Sequence, residues 1–180
     1  CGIIGYGGIG KKTANYLRVF GVNIMAINRS GYTKDKVNFI GKLSELDKVL
    51  SLSDIVILSV SLNDSTRMLI NEKNINLLKK NSLIINVARG DVIQQKALYS
   101  WLKENTEAKA WIDSWWREPI THGDFKTEYP FFDLPNFYGS PHNSAITEGS
   151  FIKAGNQAAE NVKSFLENRN VERLVALDDK

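Results

Sequence analysis

Short apolar runs alternate along this chain with segments whose apolar residues recur every three or four positions. The first run, Ile3-Ile4, leads into Gly5-Tyr6-Gly7-Gly8-Ile9-Gly10. Ile9, Thr13, Leu17 and Phe20 then place an apolar stripe on one face of a helix ended by Gly21. Residues 22–27 predict a second strand and 37–40 a third, with the turn formers Asn28-Arg29-Ser30-Gly31 between them. A helix over 44–52 precedes 55–60, a run apolar throughout, as a strand covered on both faces requires. The spacing predicts a helix over 71–80, a buried strand over 82–87, and a helix over 94–104 with Ala97, Leu98 and Trp101 on one face. A sixth strand follows at 108–112. Residues 113–136 form a long loop rich in aromatics and proline, a length that in compact domains marks a functional or mobile segment. A short strand at Phe137-Tyr138 precedes Ser140-Pro141-His142. The last helix spans 148–167, with Phe151, Ala154, Ala158, Val162, Phe165 and Leu166 on its expected buried side.

Strands alternating with helices predict an α/β fold: a doubly wound parallel sheet in three α/β/α layers, the Rossmann arrangement. A chain of 180 residues, 43% of them hydrophobic, can bury one sizeable core and reads as one domain. Twenty-three Lys and Arg against 20 Asp and Glu give a formal charge of +3, too mild and dispersed to argue for nucleic acid. The only cysteine, Cys1, allows no intramolecular disulfide, and a reducing, cytoplasmic setting is expected. No apolar run approaches the roughly 20 residues of a membrane helix, so no membrane partner is expected.

The glycines change this picture most. Gly5 permits a tight turn, Gly7 lets backbone approach a phosphate, and Gly10 lets helix and strand pack closely, while N–H groups at the helix start face an anion. That context predicts a dinucleotide site rather than a purely structural turn. Asn28, 18 positions after Gly10, stands where a carboxylate would accept hydrogen bonds from the adenosine ribose. A neutral Asn28 with the cation Arg29 and the hydroxyl of Ser30 favours NADP over NAD, with Lys34 nearby; NAD bound through Asn28 is the alternative. Arg89 leaves strand five, Glu118 lies beyond strand six and His142 follows strand seven. In a doubly wound sheet these exits share one ligand-binding edge. No metal site is expected.

These residues resemble the cofactor domain of the D-isomer-specific 2-hydroxyacid dehydrogenases, which include glycerate, hydroxypyruvate/glyoxylate, phosphoglycerate and D-lactate dehydrogenases. The resemblance rests on the glycine motif, on Ile85-Asn86-Val87-Ala88-Arg89-Gly90, on Ile112-Asp113-Ser114-Trp115-Trp116-Arg117-Glu118-Pro119, and on Ser140-Pro141-His142 with Thr147. It implies that Arg89 holds the carboxylate of a small 2-oxo or 2-hydroxy acid, that His142 is the acid/base and that Glu118 is its partner. Gly5, Tyr6, Gly7, Gly8, Ile9, Gly10, Asn28, Arg29, Ser30, Val60, Val87, Ala88, Asp113 and His142 would contact the cofactor, with Asp113 at the nicotinamide carboxamide. Val60-Ser61-Leu62 replaces a segment in which the family often has proline, and Gln94 and Gln95 replace an acidic pair.

The resemblance also implies a homodimer. Residues 1–168 would be the dinucleotide-binding domain, and 169–180 a tail returning to a substrate domain that precedes Cys1 in a longer protein. Trp115 and Trp116 are expected to pack rather than to border the substrate or support a subunit interface, and His122 to lie at the surface. A second class of function stays open: a dinucleotide-sensing interaction protein resembling transcriptional corepressors built on the same fold.

Overall fold

The computed structural model describes residues 1–172. Two compact units divide the chain, residues 1–142 and 143–180. The first is a seven-stranded sheet, all parallel, in the order β3-β2-β1-β4-β5-β6-β7. Its strands are β1 (Gly2–Ile4), β2 (Met25–Ile27), β3 (Phe39–Gly41), β4 (Ile55–Leu58), β5 (Leu83–Asn86), β6 (Lys109–Ile112) and β7 (Phe137–Gly139). The order reverses between β1 and β4. There successive connections leave in opposite directions and open a crevice at the carboxyl edge.

Alternation along each strand splits the core into two layers. Ile4, Ile27, Leu58 and Ile84 face α2 (Leu46–Leu52) and α3 (Gln95–Glu104), whose Leu46, Val49, Leu50, Ala97, Leu98, Trp101 and Leu102 belong to the same buried cluster. On the other face Ile3 and Ala26 pack with Tyr6 and with Ala14 of α1 (Gly8–Val19). The doubly wound three-layer fold is therefore present.

Three local readings are corrected. The buried positions of α1 are Gly10 and Ala14, with Leu17 partly buried, whereas Ile9 and Phe20 of the expected stripe are 60% and 81% exposed. This helix approaches the sheet through its smallest residues. Residues 71–80 form only a 3-10 turn at Ile75–Leu77. Asn71 and Asn74 divert the backbone: the Asn74 side chain accepts the Asn71 N–H at 2.9 Å and donates to Leu69 O at 2.8 Å, while Asn71 Oδ1 accepts the Lys73 N–H at 2.9 Å. The long loop 113–136 contains a one-turn helix α4 (Pro119–His122) and a 3-10 turn at Phe131–Asp133.

In the second unit α5 (Ser150–Leu166) is the main element, and Arg169 pairs with Glu160 and Glu167 beside its end. The expected buried side is not buried: Phe151, Ala154, Ala158, Val162, Phe165 and Leu166 are exposed. Periodicity identifies an apolar face of a helix without saying what covers it. Residues 173–180 of the expected tail lie outside the described residues. Among those described, no helix is long and apolar enough to cross a membrane.

Candidate active site

The glycine turn owes its shape to contacts that forbid side chains at two positions. Gly5 has φ 102°, and a Cβ there would stand 2.5 Å from the Ser59 carbonyl carbon and 2.6 Å from Val60 N. A Cβ on Gly10 would collide with the Gly5 carbonyl oxygen and stand 2.9 Å from Ile3 Cγ2, so α1 can lie against β1 only with glycine there. Gly7 and Gly8 differ, because a Cβ on either meets nothing within 4 Å. The first helical hydrogen bond runs from Lys11 N–H to Gly7 O at 2.9 Å, and no side chain caps the helix. The N–H groups of Gly8, Ile9 and Gly10 therefore lack intrahelical acceptors and stand at the positive end of the helix dipole. Tyr6 is buried between the glycines, its hydroxyl accepting a 2.9 Å bond from Arg18 Nη2. Ser59 Oγ donates to Gly5 O at 2.9 Å and ties the β4 exit to the turn.

A cleft of about 570 Å³ runs from Gly5, Tyr6 and Gly7 past Asn28, Arg29 and Ser30 to Val60 and Thr66. Asn28 spends its side chain on its own loop. Its amide donates to Tyr32 O at 2.9 Å, and its Oδ1 accepts the Gly31 N–H at 2.7 Å and the Ser30 hydroxyl at 3.3 Å. Arg29 and Ser30 are exposed at the cleft. On the far wall, Asn63, Ser65 and Thr66 escaped the sequence reading. Thr66 Oγ1 accepts the Asn63 N–H at 2.9 Å and donates to Ser61 O at 2.7 Å, and Asn63 Oδ1 accepts the Ser65 N–H at 3.0 Å. The run Asn63-Asp64-Ser65-Thr66, all side chains that bond nearby backbone, was the available signal.

Further along the same edge, β5 ends in a bracket. Asn86 Oδ1 accepts the Ala88 N–H at 3.0 Å and its Nδ2 donates to Arg89 O at 2.9 Å, while Val87 N–H donates to Leu58 O at 3.2 Å. The Ala88 carbonyl accepts both Arg89 Nη1 at 2.6 Å and Ser114 Oγ at 3.1 Å. A Cβ on Gly90 would overlap the backbone of Trp115 and Trp116. The segment that presents Arg89 is thus joined to the segment leading to Glu118.

Glu118 and His142 meet directly. Glu118 Oε1 accepts the Trp115 N–H at 2.6 Å, and its Oε2 lies 2.8 Å from His142 Nδ1. Their side chains are 15% and 36% exposed, so the carboxylate is sheltered and the imidazole accessible. His142 takes φ 51°, and its N–H bonds Ser140 O at 2.9 Å across Pro141. Proline's fixed φ suits the centre of that three-residue turn. Such a pair can hold a proton on an imidazole nitrogen oriented by a carboxylate. Asp113 is buried and accepts the Ser140 hydroxyl at 2.6 Å.

Trp115 and Trp116 pack as expected. Trp115 contacts Phe125, Phe132 and Phe137, and Trp116 stacks on Phe131 while its indole donates to Ile93 O at 2.6 Å. His122 is exposed and accepts the Glu118 N–H at 3.2 Å through Nδ1. Asn86, Ser114 and Ser140 enter the sequence reading only inside the motifs of the resemblance, with no role of their own: Ser114 and Ser140 bond residues 26 and 27 positions away, while Asn86 acts locally on Ala88 and Arg89. Among the described residues no group of three or more His, Cys, Asp or Glu is placed to hold a metal ion.

Residues 1–144 match the profile of the D-isomer specific 2-hydroxyacid dehydrogenase NAD binding domain. The chain belongs to that family. Among 2-hydroxyacid dehydrogenase relatives, it is 33% identical over 176 residues to D-3-phosphoglycerate dehydrogenase of Methanocaldococcus jannaschii, covering 97% of this chain and 32% of that one. It is also 33% identical over 164 residues to glyoxylate reductase of Thermococcus kodakarensis, covering 91% and 47%. The chain thus spans less than half the length of these two relatives. A D-isomer specific 2-hydroxyacid dehydrogenase from Xanthobacter autotrophicus Py2, solved with NADPH and MES, superposes with a TM-score of 0.81 at 26% identity, covering 97% of this chain and 69% of that one.

Proposed function

We propose that this chain is the cofactor-binding part of an oxidoreductase that moves a hydride between NADP(H) or NAD(H) and a small D-2-hydroxy or 2-oxo acid. The 2.8 Å contact between Glu118 Oε2 and His142 Nδ1, on the sheet edge that carries the glycine turn, is the observation that carries this reading. The bound dinucleotide supplies or accepts the hydride. The chain's own residues do the rest. Glu118 holds His142 through Nδ1, so Nε2 is the atom that gives a proton to the carbonyl oxygen in reduction and takes it back in oxidation. Arg89 binds the substrate carboxylate, for which a planar guanidinium fork is suited. The open space at Gly7 and Gly8, with three N–H groups free of intrahelical acceptors, fits a pyrophosphate. Val60, Val87, Ala88 and Asp113 line the nicotinamide half. NADP is favoured because Arg29 and Ser30 border the cleft at the end of β2, where none of the described lining residues is a carboxylate that would repel a 2′-phosphate.

Residues 1–168 form the dinucleotide domain in this reading, with a substrate domain supplied by the longer protein, and the assembly is a homodimer. The test is oxidation of NADPH and NADH by that protein with glyoxylate, hydroxypyruvate, pyruvate and phosphohydroxypyruvate. Turnover of one of them, lost in His142→Ala while dinucleotide affinity persists, supports the reading. Tight binding with no turnover of any acid favours the dinucleotide sensor instead.

A further inference from the structure

Ser140 connects several elements of the candidate site. Its hydroxyl accepts the Trp111 indole N–H at 3.2 Å and donates to Asp113 Oδ1 at 2.6 Å. Its carbonyl accepts the Trp115 indole N–H at 2.8 Å and the His142 N–H at 2.9 Å. Its own N–H donates to Ile112 O at 3.0 Å, continuing the β6–β7 ladder. One residue therefore holds a buried carboxylate through its side chain and the candidate acid/base through its backbone.

The direction of these bonds gives the serine a defined task. An indole N–H can only donate, so Trp111 claims a lone pair on Ser140 Oγ and leaves the hydroxyl proton to Asp113. A 2.6 Å O–H···O contact falls in the range of hydrogen bonds to an ionised acceptor, which are stronger and more directional than neutral ones. Asp113 is 1% exposed, so water is a poor substitute for that donor. Trp111 is itself steadied by stacking on Tyr138, ring centroids 5.9 Å apart and planes within 11°. A chain of contacts running Tyr138, Trp111, Ser140, Asp113 thus reaches the Asp113 carboxylate.

We propose that Ser140 is a positioning residue that fixes the Asp113 carboxylate for the nicotinamide carboxamide and keeps it in register with His142. This rests on the dinucleotide reading above. It adds that recognition of the nicotinamide half, as distinct from the adenosine half, is controlled from the residue before Pro141. The backbone bonds to Trp115 and His142 survive replacement of the side chain, so Ser140→Ala removes only the hydroxyl's links to Asp113 and Trp111.

Calorimetric titration of the chain with two ligands tests this: NADPH, and 2′-phospho-ADP-ribose, which carries the adenosine half and no nicotinamide. Ser140→Ala is expected to bind NADPH roughly 10-fold more weakly, the scale of one lost hydrogen bond to a charged group, and to bind 2′-phospho-ADP-ribose as the parent does. Ser140→Thr, which keeps the hydroxyl, is expected within about threefold of the parent for both ligands. Trp111→Phe keeps a ring against Tyr138 and removes only the indole donor. It is expected to weaken NADPH alone, and it reports even where Ser140→Ala fails to fold. Equal loss for both ligands, or unchanged NADPH affinity in Ser140→Ala and Trp111→Phe, overturns the proposal. Failure of the parent chain to bind either ligand removes the dinucleotide reading itself, a different outcome.

Discussion

The indole of Trp115 fills the space that a side chain on Gly139 would need: its Cη2 lies 2.5 Å from where that Cβ would stand. The same indole donates to Ser140 O, so the last residue of β7 and the aromatic loop are fitted to each other just before His142. Gly139→Ala forces the indole or the strand to shift. We expect a loss of about 1–3 kcal/mol in stability, read from urea unfolding. A midpoint unchanged from the parent would show that Trp115 yields without cost.

The four glycines of the turn separate into two classes. Gly5→Ala and Gly10→Ala meet backbone atoms that cannot move aside, and each is expected to destabilise by about 1–3 kcal/mol. Gly8→Ala enters open space at the start of α1, where alanine is the better helix former, and is expected to be neutral or stabilising by up to about 1 kcal/mol. Its methyl group nevertheless projects where a phosphate would lie, so dinucleotide affinity should fall while the melting temperature does not. Parallel loss of both in Gly8→Ala contradicts this division.

Asn28 and Arg29 should give different cofactor phenotypes despite being neighbours. Asn28 makes the turn that shapes residues 28–32, so Asn28→Ala is expected to weaken NADPH and NADH by similar factors. Arg29→Ala is expected to weaken NADPH about 10-fold and leave NADH within about twofold, as one charge-assisted phosphate contact predicts. Fluorescence titration of the two variants with both reduced cofactors makes the comparison. An equal effect of Arg29→Ala on the two would remove the 2′-phosphate role.

Glu118→Gln preserves shape and an acceptor oxygen but removes the charge facing His142 Nδ1. Turnover should fall by about 10²-fold or more, and His142→Ala should fall further, within the 10²–10⁴ range of a lost acid/base. Glu118→Gln should bind NADPH normally, and His142→Ala should still bind it. Steady-state kinetics beside cofactor titration checks the pair, and full turnover in either variant contradicts the assigned roles.

The strands are legible because their apolar runs are short and buried, as at Ile55–Leu58, and the glycine spacing alone locates the crevice. Side-chain chemistry at element ends was legible less often. α1 was phased on Ile9 and Phe20, but a helix that must lie close to β1 presents Gly10 and Ala14, residues that hydrophobic patterns underweight. Residues 71–80 have helical spacing, yet Asn71 and Asn74 bind backbone groups a helix would have used. Glu118 and His142 were paired through a resemblance. Spacing alone could not join residues 24 positions apart, nor reveal that Ser140 bridges Asp113 and Trp111.

Both outer strands of the sheet, Phe39–Gly41 and Phe137–Gly139, are three residues long, and Pro141 follows the second almost at once. An edge so brief offers few free backbone groups, and a proline just past it cannot extend the ladder. The turn that aims His142 therefore also acts as a stop against strand addition. A Pro141 replacement that loosened the imidazole would at the same time lengthen the exposed margin on which another chain could assemble.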